Sequence, residues 1–149
     1  MRNTGKTSEE IVEAYYASLG KRAWLERRID AAHVRGLNKG LRLAFPSQPS
    51  DYLLTLDGVT SYLEVKSCSS KTSFPFSQFE SGQWAAMKRV TAAGGSYVVL
   101  IHSLGLDRWF RVPAKTILEV EASGKSSMSW LTLQEFAWEV PDLGPVAAE

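Results

Sequence analysis

Two runs of strand-forming residues, Tyr52-Leu53-Leu54-Thr55-Leu56 and Val59-Thr60-Ser61-Tyr62-Leu63, flank the dipeptide Asp57-Gly58, and no other stretch constrains the fold as strongly. Asp-Gly between two such runs is a strong hairpin signal, because a tight two-residue turn needs both central residues at positive φ. Counting outward from the turn, Leu56 faces Val59, Thr55 faces Thr60, and Asp51 faces Glu64 at the far end. Side chains opposed in this way have Cβ atoms roughly 4.5–5.5 Å apart, so two carboxylates there repel unless something neutralises them. A divalent cation would do so. Magnesium suits such a place, since it takes a few carboxylate oxygens at about 2.0–2.1 Å and leaves other positions for water and substrate phosphates. The two-residue period of a strand puts Lys66 on the same face as Glu64. Two acids and one amine therefore converge, a set suited to phosphodiester hydrolysis: the metal activates water, and the ammonium either stabilises the pentavalent oxygens or positions the attacking water. A bare Glu-x-Lys is also a common solvated strand end. The opposition of Asp51 and the apolar strand leading into Glu64 favour a site.

Around the hairpin the pattern alternates helix and strand. Ser8 followed by Glu9, Glu10, Ile11, Val12, Tyr15, Tyr16 and Leu19 predicts a helix capped at Ser8 and stopped at Gly20. Residues 22–48 mix apolar residues with Arg and Lys around Gly36, Asn38 and Gly40, which suggests an irregular basic hairpin. Residues 69–82 form a Ser-rich loop around Phe74-Pro75-Phe76. A helix over about 77–93 follows, with Trp84, Met87 and Val90 on one side and Gly94-Gly95 as its stop. Ser96 to Ile101 is too uniformly apolar for a half-exposed strand and predicts a central one, with Trp109–Val112 beside it. A short helix to about Val120, a linker over 124–129 and an amphipathic segment over 131–138 complete a mixed α/β sheet flanked by helices.

A chain of 149 residues with 44% hydrophobic content supports one core and one domain. Apolar stretches such as Tyr97–Ile101 are far shorter than the roughly 20 residues needed to cross a bilayer, so no membrane partner is expected. The single cysteine, Cys68, can form neither an internal disulfide nor a cysteine zinc cluster, and a cytoplasmic location is the expectation. The net charge of +1 conceals an asymmetry. Lys21, Arg22, Arg27, Arg28, Arg35, Lys39 and Arg42 face only Glu26 and Asp30, whereas beyond residue 115 Lys125 stands against Glu119, Glu121, Glu135, Glu139, Asp142 and Glu149. The basic stretch, with Trp24 and His33 interleaved, is what a phosphate-binding face needs, although a solvated surface would read similarly.

Asp51 followed by Glu64-Val65-Lys66 at the end of the next strand resembles the PD-(D/E)XK nuclease signature, with Pro49 and Ser50 upstream of the aspartate. Gly5 and Glu9 on the first helix resemble archaeal Holliday junction resolvases, whose helical glutamate completes the metal site. Lys71-Thr72-Ser73-Phe74-Pro75, the later Gln83 and Arg111-Val112-Pro113-Ala114 resemble the RecU family of Holliday junction resolvases, so the similarity runs from about Gly5 to Ala114. Pro49, Ser50 and Gly82 depart from the threonine and histidine usual in that family. The resemblance implies a restriction-endonuclease-like fold and a homodimer that cuts four-way DNA junctions with Mg2+, Mn2+ substituting. It further implies Asp51, Glu64 and the Val65 carbonyl as metal ligands, and Glu9, Lys66 and Gln83 as catalytic groups. Residues 22–48 occupy the position of the RecU stalk, so Arg22, Arg27, Arg28, Arg35, Lys39 and Arg42, together with Lys71, are expected to contact DNA. Residues 121–149 form an acidic C-terminal extension of the single domain. Other PD-(D/E)XK endonucleases, acting on duplex ends, flaps or specific sequences, and an idle branch-binding module remain alternatives.

His33 and His102 have no metal-ligand spacing, and His102, at the end of an apolar strand, reads as a core-edge residue. Cys68 reads as a small buried apolar group. Gly5-Lys6-Thr7 lacks the upstream glycine and strand of a phosphate loop.

Overall fold

The computed structural model describes residues 4–28 and 48–140, with side chains from Thr7 onward. The hairpin forms in the register expected. β2 (Tyr52–Leu56) pairs antiparallel with β3 (Val59–Cys68), Leu56 against Val59 and Tyr52 against Leu63. The turn holds Asp57 at φ 47° and Gly58 at φ 86°, the left-handed conformations that a tight hairpin turn of matching twist demands. Arg22 pairs bidentately with the exposed Asp57 carboxylate, at 3.1 and 3.0 Å, and holds it below the usual carboxylate range.

The first helix, α1 (Thr4–Ser18), begins before the expected cap. Ser8 lies inside it and is fully buried. The helix is followed by β1 (Ala23–Arg27), which pairs antiparallel with β2 and so belongs to the central sheet rather than to a projecting hairpin. Residues 29–47 of that expected hairpin, including Arg35, Lys39 and Arg42, lie outside the described residues.

β5 (Tyr97–Ser103) runs parallel to β3, and β6 (Arg108–Pro113) closes the row, giving the order β1-β2-β3-β5-β6. Every residue of β5 is buried, as expected for a strand covered on both faces. One face packs Tyr52, Leu54, Leu63, Val65, Leu100 and Trp109 against Val12 and Tyr16 of α1. The other packs Tyr97, Val99, Ile101, Phe110 and Val112 under α2 (Ser81–Ala92) and α3 (Ala114–Ala122). Residues the size of Leu63, Ile101 and Phe110, each at most 1% exposed, contribute roughly 1.5–3 kcal/mol apiece by leaving water.

α2 starts later than expected, because residues 76–78 form a separate 3-10 turn and Glu80 supplies a capping box with Gln83. It stops at Gly94 (φ 80°) and Gly95, where an added Cβ would come within 2.9 Å of Val90 Cγ1. The Ser-rich loop and the linker after α3 contain two strands that local reading missed. β4 (Ser73–Pro75) and β7 (Ser127–Ser129) pair antiparallel, with Phe74 opposite Met128. Residues beyond 121 also contribute to the core: Met128, Trp130 and Leu133, the last two in α4 (Trp130–Leu133), are buried, and Trp138 packs on Tyr15, Tyr16 and Trp109.

Candidate active site

Asp51 stands immediately before β2, and extending the hairpin register by one pair puts it opposite Glu64. Each carboxylate is tied to the other residue's strand. The Asp51 amide donates to Glu64 Oε2 at 3.1 Å, and the Val65 amide donates to Asp51 Oδ2 at 3.2 Å. Glu64 is only 2% exposed. Burial is the largest influence on its carboxyl, and with the nearby Asp51 charge it pushes the pKa well above the usual range against the opposing pull of Lys66.

Lys66 follows on the same face, its Nζ 3.7 Å from Glu64 Oε1. It donates to the Gln78 carbonyl at 2.9 Å and lies over the Phe79 ring at 5.6 Å. The 3-10 turn ahead of α2 thus aims the ammonium. Gln83 reaches the same carboxylate from α2, its Nε2 donating to Glu64 Oε1 at 3.0 Å. Its other end accepts the Glu80 amide at 3.0 Å. Because Glu80 N–H can only donate, the capping box turns the Gln83 oxygen toward it and the NH2 toward Glu64. Sequence reading put Gln83 near a helix start but did not find this dual role.

Glu9 approaches from the helix on the opposite face of the sheet. Burial, then repulsion from Asp51, raises its pKa, with Arg27 opposing. Arg27 Nη2 donates to Glu9 Oε2 at 3.1 Å, while Nη1 lies 3.6 Å from Glu13 Oε1 and donates to Tyr52 Oη at 3.3 Å. Glu9 and Glu13 are one turn apart on α1, a repulsive spacing that one guanidinium from β1 offsets. Arg27, expected on DNA, is thus engaged within the protein, and Arg22 is engaged at the hairpin turn, far along the strands from Asp51. Arg28 donates its amide to the Asp51 carbonyl at 2.8 Å and its Nε to Gln48 at 3.2 Å. Lys71 is exposed ahead of β4.

Among the described residues no three His, Cys, Asp or Glu side chains cluster closely enough to bind a metal alone. Asp51 and Glu64 supply two hard oxygen donors, fitting a hard divalent cation that fills its remaining positions with water and phosphate. A family model for Recombination protein U matches residues 25–144. The chain belongs to the RecU family. The match covers Asp51, Glu64, Lys66 and Gln83 but begins within β1, so Glu9 lies outside it. The fold of this RecU-family chain is similar to that of Archaeoglobus fulgidus Hjc, a Holliday junction resolvase from an archaeal hyperthermophile. The TM-score is 0.58 at 13% identity, over 91% of this chain and 96% of that one. No curated protein matches the sequence significantly.

The buried Glu64 carboxyl carries a stability consequence for the metal-free protein. An acid whose pKa is higher folded than unfolded binds more protons when folded, so stability falls as pH rises above the ordinary value of 4.5. In chelator at neutral pH, Glu64→Gln is therefore expected to stabilise the fold by roughly 1–3 kcal/mol, a Tm rise of about 3–8 °C. The gain should vanish below the ordinary glutamate pKa, where both states are protonated. A melting series across pH that showed no gain near neutrality would mean the Glu64 carboxylate is already compensated.

Proposed function

We propose that this RecU-family chain resolves four-way (Holliday) DNA junctions by divalent-metal-dependent phosphodiester hydrolysis. The observation that carries this reading is the opposition of Asp51 and Glu64 beside Lys66, within the stretch that matches Recombination protein U. Asp51 and Glu64, with the Val65 carbonyl as a further oxygen donor, would hold Mg2+, or Mn2+ in its place. The bound cation supplies a polarised water and neutralises charge on the phosphate. Lys66, aimed by Gln78 and Phe79, places an ammonium beside the phosphate oxygens. Gln83 orients Glu64 with one N–H and leaves the other for a water or phosphate oxygen. Glu9 adds a carboxylate from α1.

Arg28 and Lys71, with Arg35, Lys39 and Arg42 from the basic stretch, supply sequence-independent phosphate contacts. A junction has approximate two-fold symmetry and must be cut in two opposed strands, so a homodimer provides two sites on one surface. No helix among the described residues is long and apolar enough to cross a membrane.

The test is a synthetic four-way junction beside linear duplex of the same sequence, each with Mg2+, Mn2+ or chelator. Paired, metal-dependent cuts in the junction alone are expected. Equal cleavage of duplex would transfer the chain to another class of PD-(D/E)XK endonuclease. Tight junction binding without cleavage in either metal would make it a branch-binding module.

A further inference from the structure

Ser8 and His102 form a buried polar contact between α1 and the central sheet, and nothing in the junction-cleaving chemistry above uses it. Ser8 is fully buried and its Oγ lies 2.9 Å from His102 Nδ1, across 94 residues of sequence. His102 is at the C-terminal end of β5, paired in parallel register with Ser67, the residue after Lys66. Its ring stacks on Trp109 with centroids 4.2 Å apart and planes 6° from parallel. The far nitrogen, Nε2, lies 3.4 Å from Asp107 Oδ1 in the β5–β6 turn. A carboxylate facing Nε2 favours the tautomer with the proton there, in which Nδ1 accepts from the Ser8 hydroxyl. Burial lowers the pKa of His102, which keeps the ring neutral. Serine, histidine and aspartate here do not make a nucleophilic triad, because complete burial denies a substrate access to Ser8.

We propose that the Ser8–His102 hydrogen bond is a latch that sets the rotation of α1 and thereby places Glu9 at the active site. Both are positioning residues, and the proposal rests on Glu9 acting in that site. The other holds on α1 near its active-site end are the ion pairs of Glu9 and Glu13 with Arg27 of the edge strand β1, and packing through Ile11, Val12, Tyr15 and Tyr16, which is non-directional. Arg27 is 56% exposed, so its pairs restrain the helix weakly, and a buried directional bond one residue before Glu9 supplies the firmer restraint on rotation. On a cylinder about 5–6 Å in radius, a rotation of about 20° would carry a side chain roughly 2 Å, and a misplacement of about 1 Å can lower a rate about 10²-fold. Joining Ser8 to the strand beside Lys66 therefore references Glu9 to the same sheet that carries the other catalytic groups.

The test uses Ser8→Ala, His102→Phe, which retains a flat ring for Trp109, and His102→Asn, whose amide presents an acceptor near the place of Nδ1. Each is made with Glu9 intact and in a Glu9→Gln background. Cleavage of a synthetic four-way junction is resolved into kcat and KM, and Mn2+ binding to the DNA-free protein is titrated separately. Ser8→Ala and His102→Phe are each expected to lower kcat about tenfold or more with KM nearly unchanged, to weaken Mn2+ binding, and to be no worse combined than singly. His102→Asn should recover part of the loss, and neither change should matter further once Glu9 is Gln. An equal loss in the Glu9→Gln background, or a lower melting temperature with kcat and Mn2+ affinity unchanged, overturns the latch. If the wild-type protein does not cut junctions the functional reading fails, yet the dependence of Mn2+ affinity on Ser8 and Glu9 still decides this one.

Discussion

Replacing Asp51 with Asn, or Glu64 with Gln, is expected to lower junction cleavage by about 10³-fold or more while leaving junction binding within a few-fold of wild type. The two carboxylates are the only acids brought face to face by the hairpin register among the described residues, and each is locked by an amide of the opposite strand. Losing one ligand charge removes several kcal/mol of electrostatic stabilisation from the transition state, and each 1.36 kcal/mol is a factor of ten in rate. The phosphate contacts proposed for Arg28, Lys71 and the basic stretch would be untouched. Single-turnover cleavage and a gel-shift titration on the same preparation separate the two effects. Near-wild-type cleavage by either variant would remove the hairpin end from the mechanism.

Lys66→Met is expected to lower kcat by about 10²–10³-fold, the usual cost of removing one preorganised donor to a developing oxyanion. Methionine retains an apolar stem against Phe79, so loss of packing is small. Lys66→Arg should not restore the rate, because a planar guanidinium does not reproduce a compact ammonium seated between the Gln78 carbonyl and Glu64. The discriminating measurement is the split between kcat and KM. A change confined to KM would make Lys66 a DNA-binding group.

The readable features were those whose causes are local. The Asp57-Gly58 turn specified a strand register, and the register alone brought Asp51 to Glu64 and set Lys66 on the same face. The uniform apolarity of Tyr97–Ile101 announced a strand buried on both faces, and the stop at Gly94-Gly95 followed from turn chemistry. Ser8 misled because a serine ahead of acids and an apolar run is the signature of a helix cap. Its hydroxyl instead meets a histidine 94 residues away, which no local pattern records.

The remaining features depended on long-range pairing. β4 and β7 are three residues each, too short to show a period, and each becomes a strand only because the other is there. Arg22 and Arg27 read as part of a DNA-binding run, since charge along a chain does not say whether a carboxylate waits nearby. Packing β1 beside α1 and the hairpin supplied Glu9, Glu13 and Asp57 as partners. The opposed acids, the neighbouring lysine and the central strand are therefore legible along the chain, because hydrogen-bond register and side-chain alternation propagate residue by residue from one turn. That Gln83 holds Glu64, that Gln78 and Phe79 aim Lys66, and that Glu9 approaches from the other side of the sheet emerge only in the folded chain, because these contacts arise where separate elements pack together.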